Sequence, residues 1–217
     1  FTTNPTILSG DIDKNDGANF ANNSGNSYHV ISNPPGLTNS AILDGFTITG
    51  GNANEISIPH RFGGGMYNNG EGVGNFCNPL IRYCIFQGNT ATDGGGMYNR
   101  GFQGNSSPIL INCSFLGNTA ALHDGGAMVN FGNRGNSSPI LTNCYFQGNT
   151  AVSSNTVSDG GAIMNSGQSG TCSPILTNCS FLGNIAGNEG GAMSNEGTFG
   201  TCSPILTNCS FLGNIAD

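Results

Sequence analysis

Charge is scarce in this chain. Asp, Glu, Lys and Arg make up 8% of the 217 residues, whereas a typical soluble domain has roughly 25%. The 5 basic residues are outnumbered by 12 acidic ones, and the formal net charge is −7. Because such a chain cannot assemble a basic patch that neutralises phosphates, we expect neither nucleic acid nor an anionic membrane surface as a partner.

Long apolar runs and tryptophan are also missing. No stretch of 18 consecutive apolar residues occurs, so no transmembrane segment is expected. The absence of tryptophan leaves only the 5 tyrosines for stacking on a sugar ring. The sequence contains no H-E-x-x-H, no G-x-S-x-G and no phosphate-cradling glycine loop. The common zinc, acyl-transfer and nucleotide sites are therefore not indicated.

What the sequence does have is a repeat. The motif F-x-G-N recurs at steps of 29, 31, 35 and 30 residues, beginning at Phe86, Phe115, Phe146, Phe181 and Phe211. The motif G-G-[GA]-[MI]-x-N alternates with it and begins at Gly63, Gly94, Gly125, Gly160 and Gly190. A period of this length is typical of solenoids, in which each repeat forms one coil.

Each repeat contains strand-like segments rather than helices. The apolar segments are short, rich in Ile, Leu, Thr and Phe, and separated by Gly, Asn and Pro. We predict three short strands per coil, as in "PILTN", "CSFLG" and "GAMSN", with stacked Asn side chains at the corners. The predicted fold is all-β, a right-handed parallel β-helix (β-solenoid) of six to seven coils and about 30 residues per coil. Its handedness follows the general crossover rule.

The predicted domain organisation is simple. Residues 1–217 form a single β-helix domain, with irregular first coils over 1–53 and regular repeats over 54–217. The last F-x-G-N motif is not followed by a double glycine before Asp217. We therefore expect the last coil to be incomplete.

The paired motifs resemble a known group of repeats. The segments at 125–128, 160–163 and 190–193, together with F-x-G-N, are similar to the GGA[ILVM] and FxxN repeats of chlamydial polymorphic outer-membrane protein passenger regions. They also resemble the wider pectate-lyase-like superfamily of bacterial surface β-helices. The resemblance covers nearly the whole chain and implies an extracellular or cell-surface protein. It implies less about function, because this scaffold carries adhesins, lyases and fibre proteins.

The eight cysteines fall in two columns. One column holds a cysteine two residues before each repeated phenylalanine, namely Cys84, Cys113, Cys144, Cys179 and Cys209. The other holds Cys77, Cys172 and Cys202, with serine in the remaining coils. We interpret the first column as small buried side chains, with disulfides as the alternative. Adjacent coils place equivalent residues about 4.8 Å apart, within disulfide range, and Cys172–Cys202 is the preferred disulfide.

An acidic column precedes the double glycines. Its members are Asp93, Asp124, Asp159 and Glu189. Stacked coils place these like charges roughly 5 Å apart, so something should compensate them. Either each carboxylate caps its own turn and stays solvated, or the column binds calcium, which accepts carboxylate oxygens in flexible geometry. No other cofactor is indicated, and none is required.

Two further features concern the surface. Asn105 and Asn136 open N-x-[ST] triplets that fit the pattern for N-glycosylation, although such triplets also arise by chance in a chain this rich in Asn and Ser. Strand alternation should turn some apolar side chains outward, from Leu116, Leu182 and Leu212 and from the pairs that begin at Ile109, Ile140, Ile175 and Ile205. These residues are either covered by loops or form a contact stripe for another chain.

The functional prediction follows from the uniformity of the repeats. Catalytic sites usually interrupt a repeat, and the later coils are nearly identical, so we predict no enzyme and no catalytic residues. We predict a noncatalytic extracellular structural or adhesive surface protein that associates with itself, head to tail into a filament or laterally. The alternative is a glycan-binding or polysaccharide-cleaving β-helix that recognises host or matrix glycans. Tyr67 and Tyr98 share a repeat position and would either give it a small stacking platform or have a structural role.

Overall fold

The fold is a parallel β-solenoid. The structure is a computed structural model that describes residues 5–17, 21–153 and 157–217. Over these residues the chain is all-β apart from one 3-10 turn at Asn23–Gly25. Its strands stack in about 6 turns with about 31 residues per turn. The predicted fold class is confirmed, while the right-handed winding stays a prediction.

Four parallel sheets run along the solenoid. Sheet I consists of β1 (Thr6–Ser9), β4 (Phe46–Thr49), β8 (Ile85–Gln87), β12 (Ser114–Leu116), β16 (Tyr145–Gln147), β20 (Ser180–Leu182) and β24 (Ser210–Leu212). Sheet II consists of β2 (Ile31–Asn33), β6 (Met66–Asn69), β10 (Met97–Arg100), β14 (Met128–Phe131), β18 (Ile163–Ser166) and β22 (Met193–Glu196). Sheet III consists of β3 (Ile42–Asp44), β7 (Leu80–Arg82), β11 (Ile109–Ile111), β15 (Ile140–Thr142), β19 (Ile175–Thr177) and β23 (Ile205–Thr207). Sheet IV consists of β5 (Asn52–Ala53), β9 (Thr90–Ala91), β13 (Thr119–Ala120), β17 (Thr150–Ala151), β21 (Ile185–Ala186) and β25 (Ile215–Ala216).

Each regular coil passes through sheets III, I, IV and II in that order. The three predicted strands per coil correspond to sheets III, I and II. Sheet IV adds a fourth strand of two residues, which is too short to show an alternating pattern in the sequence. Every coil pairs in register with the next, so equivalent residues of the repeat lie side by side, as Phe115 does with Phe146.

Inward side chains stack in columns that fill the solenoid. The phenylalanines of sheet I form one stack in which neighbouring ring centroids are 4.7–4.9 Å apart and the rings lie within 5° of parallel. Four of these rings are at most 1% exposed, namely Phe86, Phe115, Phe146 and Phe181. Leucine and isoleucine of sheet III, alanine of sheet IV, and methionine and isoleucine of sheet II fill the neighbouring columns.

A buried asparagine ladder runs along sheet II. In each coil the Nδ2 amide donates to the Oδ1 of the equivalent asparagine in the next coil, at 2.7–2.8 Å, from Asn33 through Asn68, Asn99, Asn130 and Asn165 to Asn195. Because these asparagines lie within strands, this ladder is not one of the corner ladders that the sequence predicted. Each buried amide finds its partner in the neighbouring coil, which satisfies polar groups that would be costly to bury unpaired.

A second asparagine ladder follows the repeated phenylalanines, at the corner between sheets I and IV, and confirms the prediction of a corner ladder. The Nδ2 of Asn118 donates to the Oδ1 of Asn149 at 3.0 Å and to the carbonyl of Phe86 at 2.9 Å. Its own Oδ1 accepts the backbone N–H of Asn89 at 3.1 Å. One side chain thus pairs with backbone and side-chain groups of both neighbouring coils.

The strand alternation settles which apolar side chains face outward. In sheet III, Leu110, Leu141 and Leu176 are buried, whereas Leu206 in β23 is 40% exposed. The outward side chains of Ile140, Ile175 and Ile205 are 42%, 39% and 58% exposed. In sheet I, Leu116 and Leu182 are partly exposed and Leu212 is 69% exposed. Loops do not bury these positions, so an apolar stripe lies on the outer face of sheet III.

Candidate binding groove on sheet II

The outer face of sheet II carries a second apolar cluster. Alternation turns Tyr67, Tyr98, Val129 and Met164 away from the solenoid interior, yet these side chains are only 3–5% exposed. Phe62, in the segment before β6, packs on the two tyrosines: its ring centroid lies 4.2 Å from that of Tyr98 and 6.4 Å from that of Tyr67. Tyr67 and Tyr98 therefore pack as a structural layer, which is the second of the two roles that the sequence left open, and they do not form an exposed stacking platform.

Arg100 lies at the centre of this surface. Its guanidinium carbon is 5.5–5.8 Å from the ring centroids of Phe62, Phe102 and Phe131, close enough for cation–π attraction. Its Nε and Nη2 donate to the carboxylate of Glu71 at 2.8 and 3.1 Å. This pairing lowers the pKa of the Glu71 carboxyl. The guanidinium is therefore held rigidly among three rings.

A groove of about 430 Å³ opens beside Arg100. Phe102 and Phe131 are only partly buried, so part of each ring faces solvent. The polar side chains of Asn133 and Gln168 lie farther along, and Asn133 accepts the backbone N–H of Gln168 at 2.9 Å. Aromatic rings beside amide and guanidinium groups are the mixture that ligand sites commonly use.

The predicted acidic column borders this groove. Asp93 accepts from Arg61 at 2.9 Å. The Oδ1 of Asp124 accepts the backbone N–H of Asp159 at 2.9 Å, and the Oδ1 of Asp159 accepts that of Glu189 at 2.9 Å. Asp124 and Asp159 thus cap the equivalent turn of the next coil and not their own turn, contrary to the simpler of our two interpretations.

Protonation offers one way to relieve repulsion in the column. Burial raises the pKa of Asp93 although Arg61 and His123 oppose the shift. Burial also raises the pKa of Asp124 to about 6, and the neighbouring charges of Asp93 and Asp159 act in the same direction. Among residues 5–17, 21–153 and 157–217, no group of three or more His, Cys, Asp or Glu side chains is placed to hold a metal ion. Calcium at Asp93, Asp124, Asp159 and Glu189 stays a prediction.

The structure places the remaining predicted site residues on other parts of the coil. Asn105 and Asn136 form one inter-coil column, in which the Nδ2 of Asn136 donates to the Oδ1 of Asn105 at 3.1 Å. Glycosylation at these two residues stays a prediction. Cys172 and Cys202 lie in adjacent coils as predicted, and both are free thiols here. Their disulfide is therefore not confirmed.

The sequence pattern missed most of the groove. Phe62, Phe102, Phe131 and Arg100 lie outside the repeat motifs, so a search for repeats does not bring them together. The sequence did carry one signal for the groove, because these four residues fall in the same part of successive repeats. Phe62 also interrupts the acidic column, because it occupies the position equivalent to Asp93 and pairs with it in a β-bridge.

Comparison with known proteins leaves the fold as the basis for classification. No protein-family model, no curated protein and no solved structure matches this chain. No helix in the described part of the chain has the length and apolar character needed to cross a membrane. By its architecture the chain is a parallel β-solenoid repeat protein with a groove on its second sheet.

Proposed function

We propose that this chain is a noncatalytic structural or adhesive element displayed outside the cell. The observation that carries the proposal is the uninterrupted stacking of Phe and Asn side chains through successive coils. Such ladders favour a rigid rod that resists local unfolding. The resemblance to surface-displayed passenger regions and to pectate-lyase-like β-helices supports the same location.

Self-association is part of this proposal. In the coil that contains β23 to β25, residues equivalent to core positions are exposed, among them Leu206 at 40% and Phe211 at 48%. This face would accept another coil of the same repeat, either from further residues of the same polypeptide or from a second copy. The outward isoleucines of sheet III offer a separate surface for lateral contact.

Electron microscopy of the purified chain tests this assembly. Negative-stain images taken with and without a calcium chelator should show filaments or lateral bundles if copies associate. Disassembly on chelation would support calcium at the acidic column. Isolated short rods under both conditions would contradict self-association, while leaving an adhesive role to be judged from ligand binding.

A second candidate function is glycan binding, and the groove on sheet II favours it. Exposed edges of Phe102 and Phe131 beside the amides of Asn133 and Gln168 suit a sugar ring with its hydroxyl groups. If the groove cleaved polysaccharides, Asp124 would be the general acid. Its raised pKa would keep a larger fraction of the carboxyl protonated, and a protonated carboxyl can donate a proton to the leaving group.

Two glutamines on different faces provide a matched test of glycan binding. Gln168 lines the groove, whereas Gln147 lies exposed on the outer face of sheet I. On an array of bacterial, plant and animal-matrix polysaccharides, we expect Gln168→Ala to weaken binding about fivefold to tenfold, the worth of one hydrogen bond. Gln147→Ala should leave binding unchanged. Equal effects would exclude the groove, and release of shortened glycans would contradict the noncatalytic proposal.

A further inference from the structure

The guanidinium of Arg100 has hydrogen-bonding capacity that the protein does not use. Its Nε and Nη2 donate to Glu71, and within the described part of the chain the side chain makes no other hydrogen bond. The side chain is only 10% exposed, yet Nη1 is not fully enclosed, so it faces the groove that Arg100 lines. Because buried donors are normally paired, Nη1 points to an acceptor oxygen supplied by a ligand.

The positive charge of this guanidinium is already neutralised. Glu71 accepts two hydrogen bonds from it, at 2.8 and 3.1 Å. The other guanidinium that lines the groove belongs to Arg61, which is paired with Asp93 at 2.9 Å. Neither arginine therefore offers a net positive charge to an anionic ligand. The acceptor that Nη1 calls for is a neutral oxygen.

Two further carboxylates make the groove unfavourable for anions. Asp124 and Glu196 line it, and within the ranges that the structure describes neither forms an ion pair. Glu196 accepts hydrogen bonds from the hydroxyl groups of Ser166 and Thr198, at 3.4 and 3.3 Å. Asp124, with a pKa of about 6, is mostly ionised at neutral pH. These charges would repel the carboxylate of an acidic sugar, because partly buried charges are poorly screened.

The rings beside Arg100 add an apolar requirement. Phe102 and Phe131 are partly exposed, and their ring centroids lie 6.3 Å apart. The guanidinium carbon of Arg100 is 5.5 and 5.8 Å from those centroids. A ligand oxygen at Nη1 therefore has apolar surface close by. A neutral carbonyl that carries a methyl group matches both features, whereas a hydroxyl group matches only the first.

We propose that the groove on sheet II selects glycans that contain N-acetylated amino sugars, and that Arg100 recognises the acetamido group. The acetamido carbonyl accepts from Nη1, and its methyl group packs on Phe102 and Phe131. Hydroxyl groups of the sugar bond to the amides of Asn133 and Gln168, which lie farther along the groove. The proposal rests on the glycan-binding function proposed above and names the class of sugar that this function would use.

Two matched tetrasaccharides test the acetamido contact on the full chain. Chitotetraose and cellotetraose share their linkage and differ in that the first carries acetamido groups where the second carries hydroxyl groups. By isothermal titration calorimetry, we expect chitotetraose to bind at least about tenfold more tightly, the worth of one hydrogen bond with its apolar contact. Equal affinities would overturn the acetamido proposal and leave glycan binding in place. Binding of neither sugar, nor of any glycan on the array, would overturn both.

Arg100→Lys assigns the preference to this residue, with Arg82→Lys as the control. Lysine keeps a positive charge opposite Glu71 but has no Nη1. We expect Arg100→Lys to weaken chitotetraose binding about tenfold and cellotetraose binding little, so the preference between them disappears. Arg82 is paired with Asp44 at 2.8 Å on sheet III, and its replacement should change neither affinity. Equal weakening of both sugars by Arg100→Lys would indicate a structural role and overturn the assignment.

Glu71→Gln provides a second variant, which keeps the proposal testable if Arg100→Lys does not fold. The glutamine carbonyl can still accept from the guanidinium but no longer neutralises it. We expect the affinity for tetragalacturonate to rise about fivefold or more, while that for chitotetraose changes less than about twofold. An unchanged affinity for the acidic sugar would contradict the neutralised guanidinium on which the proposal depends.

A cationic sugar separates the role of Arg100 from that of the carboxylates. The deacetylated tetramer of glucosamine has the linkage of chitotetraose, but it carries ammonium groups that Asp124 and Glu196 would attract. We expect it to bind the unaltered protein more weakly than chitotetraose does, because it offers no carbonyl to Nη1. Tighter binding of the deacetylated tetramer would show that the carboxylates select the ligand, and would overturn the proposal.

Discussion

Replacing Phe146 by alanine is expected to lower the free energy of unfolding by about 3–5 kcal/mol. The ring is 0% exposed and stacks between Phe115 and Phe181, with centroid distances of 4.9 and 4.8 Å. Its removal leaves a cavity that the chain cannot easily fill, because both neighbours are fixed by strand pairing in register. Urea denaturation followed by circular dichroism would measure the loss.

Phe211 provides the matched control for this substitution. It belongs to the same stack, but it has a ring neighbour on one side only and is 48% exposed. Phe211→Ala should therefore cost no more than about half as much, because less apolar area is uncovered and no enclosed cavity forms. Equal losses at the two positions would mean that stacking within the solenoid is not what stabilises the ring.

Replacing Asn118 by leucine is expected to cost about 3–5 kcal/mol, although the two side chains are similar in size. The substitution removes the acceptor of the Asn89 backbone N–H and the donor to the Phe86 carbonyl, both buried. Each buried group left unpaired costs about 1–3 kcal/mol, and the neighbouring amides of the ladder lose partners as well. The same urea titration would measure the change.

Gln147→Leu is the control that distinguishes the loss of the ladder's hydrogen bonds from the general effect of adding an apolar side chain. Gln147 is exposed at the end of β16 and lies in the next coil after Asn118. We expect its replacement to change the free energy of unfolding by less than about 0.5 kcal/mol, as for most surface substitutions. A loss below about 1 kcal/mol for Asn118→Leu would show that water or backbone shifts satisfy the orphaned groups.

The fold was predictable because the repeat encodes both the coil and its contents. Once Phe115 and Phe146 are recognised as equivalent, their stacking follows from the pairing of successive coils. The burial of the cysteine column follows in the same way. The structure confirms it for Cys84, Cys113, Cys144 and Cys179, which are at most 2% exposed, whereas Cys209 is partly exposed. Residues at equivalent positions of the sequence repeat are therefore neighbours in adjacent coils.

The groove was harder to predict because most of the residues that line it are not part of the repeat motifs. Phe62 and Phe102 lie in connecting segments whose path is set by tertiary packing, and no periodicity relates them. Tyr67 and Tyr98 do share a position, but the sequence could not show that Phe62 would cover them. The acidic column was found, yet its hydrogen bonds to the next coil depend on turn geometry that residue spacing does not specify.

The buried asparagine ladders have a direction. In both, each Nδ2 donates toward the coil that follows in the chain, from Asn33 onward in one and from Asn89 onward in the other. The amide dipoles are therefore aligned along the rod, and each bond polarises the next. One reversed amide would set two donors or two acceptors face to face. The ladder therefore favours a further coil whose asparagine amide points in the same direction as those before it.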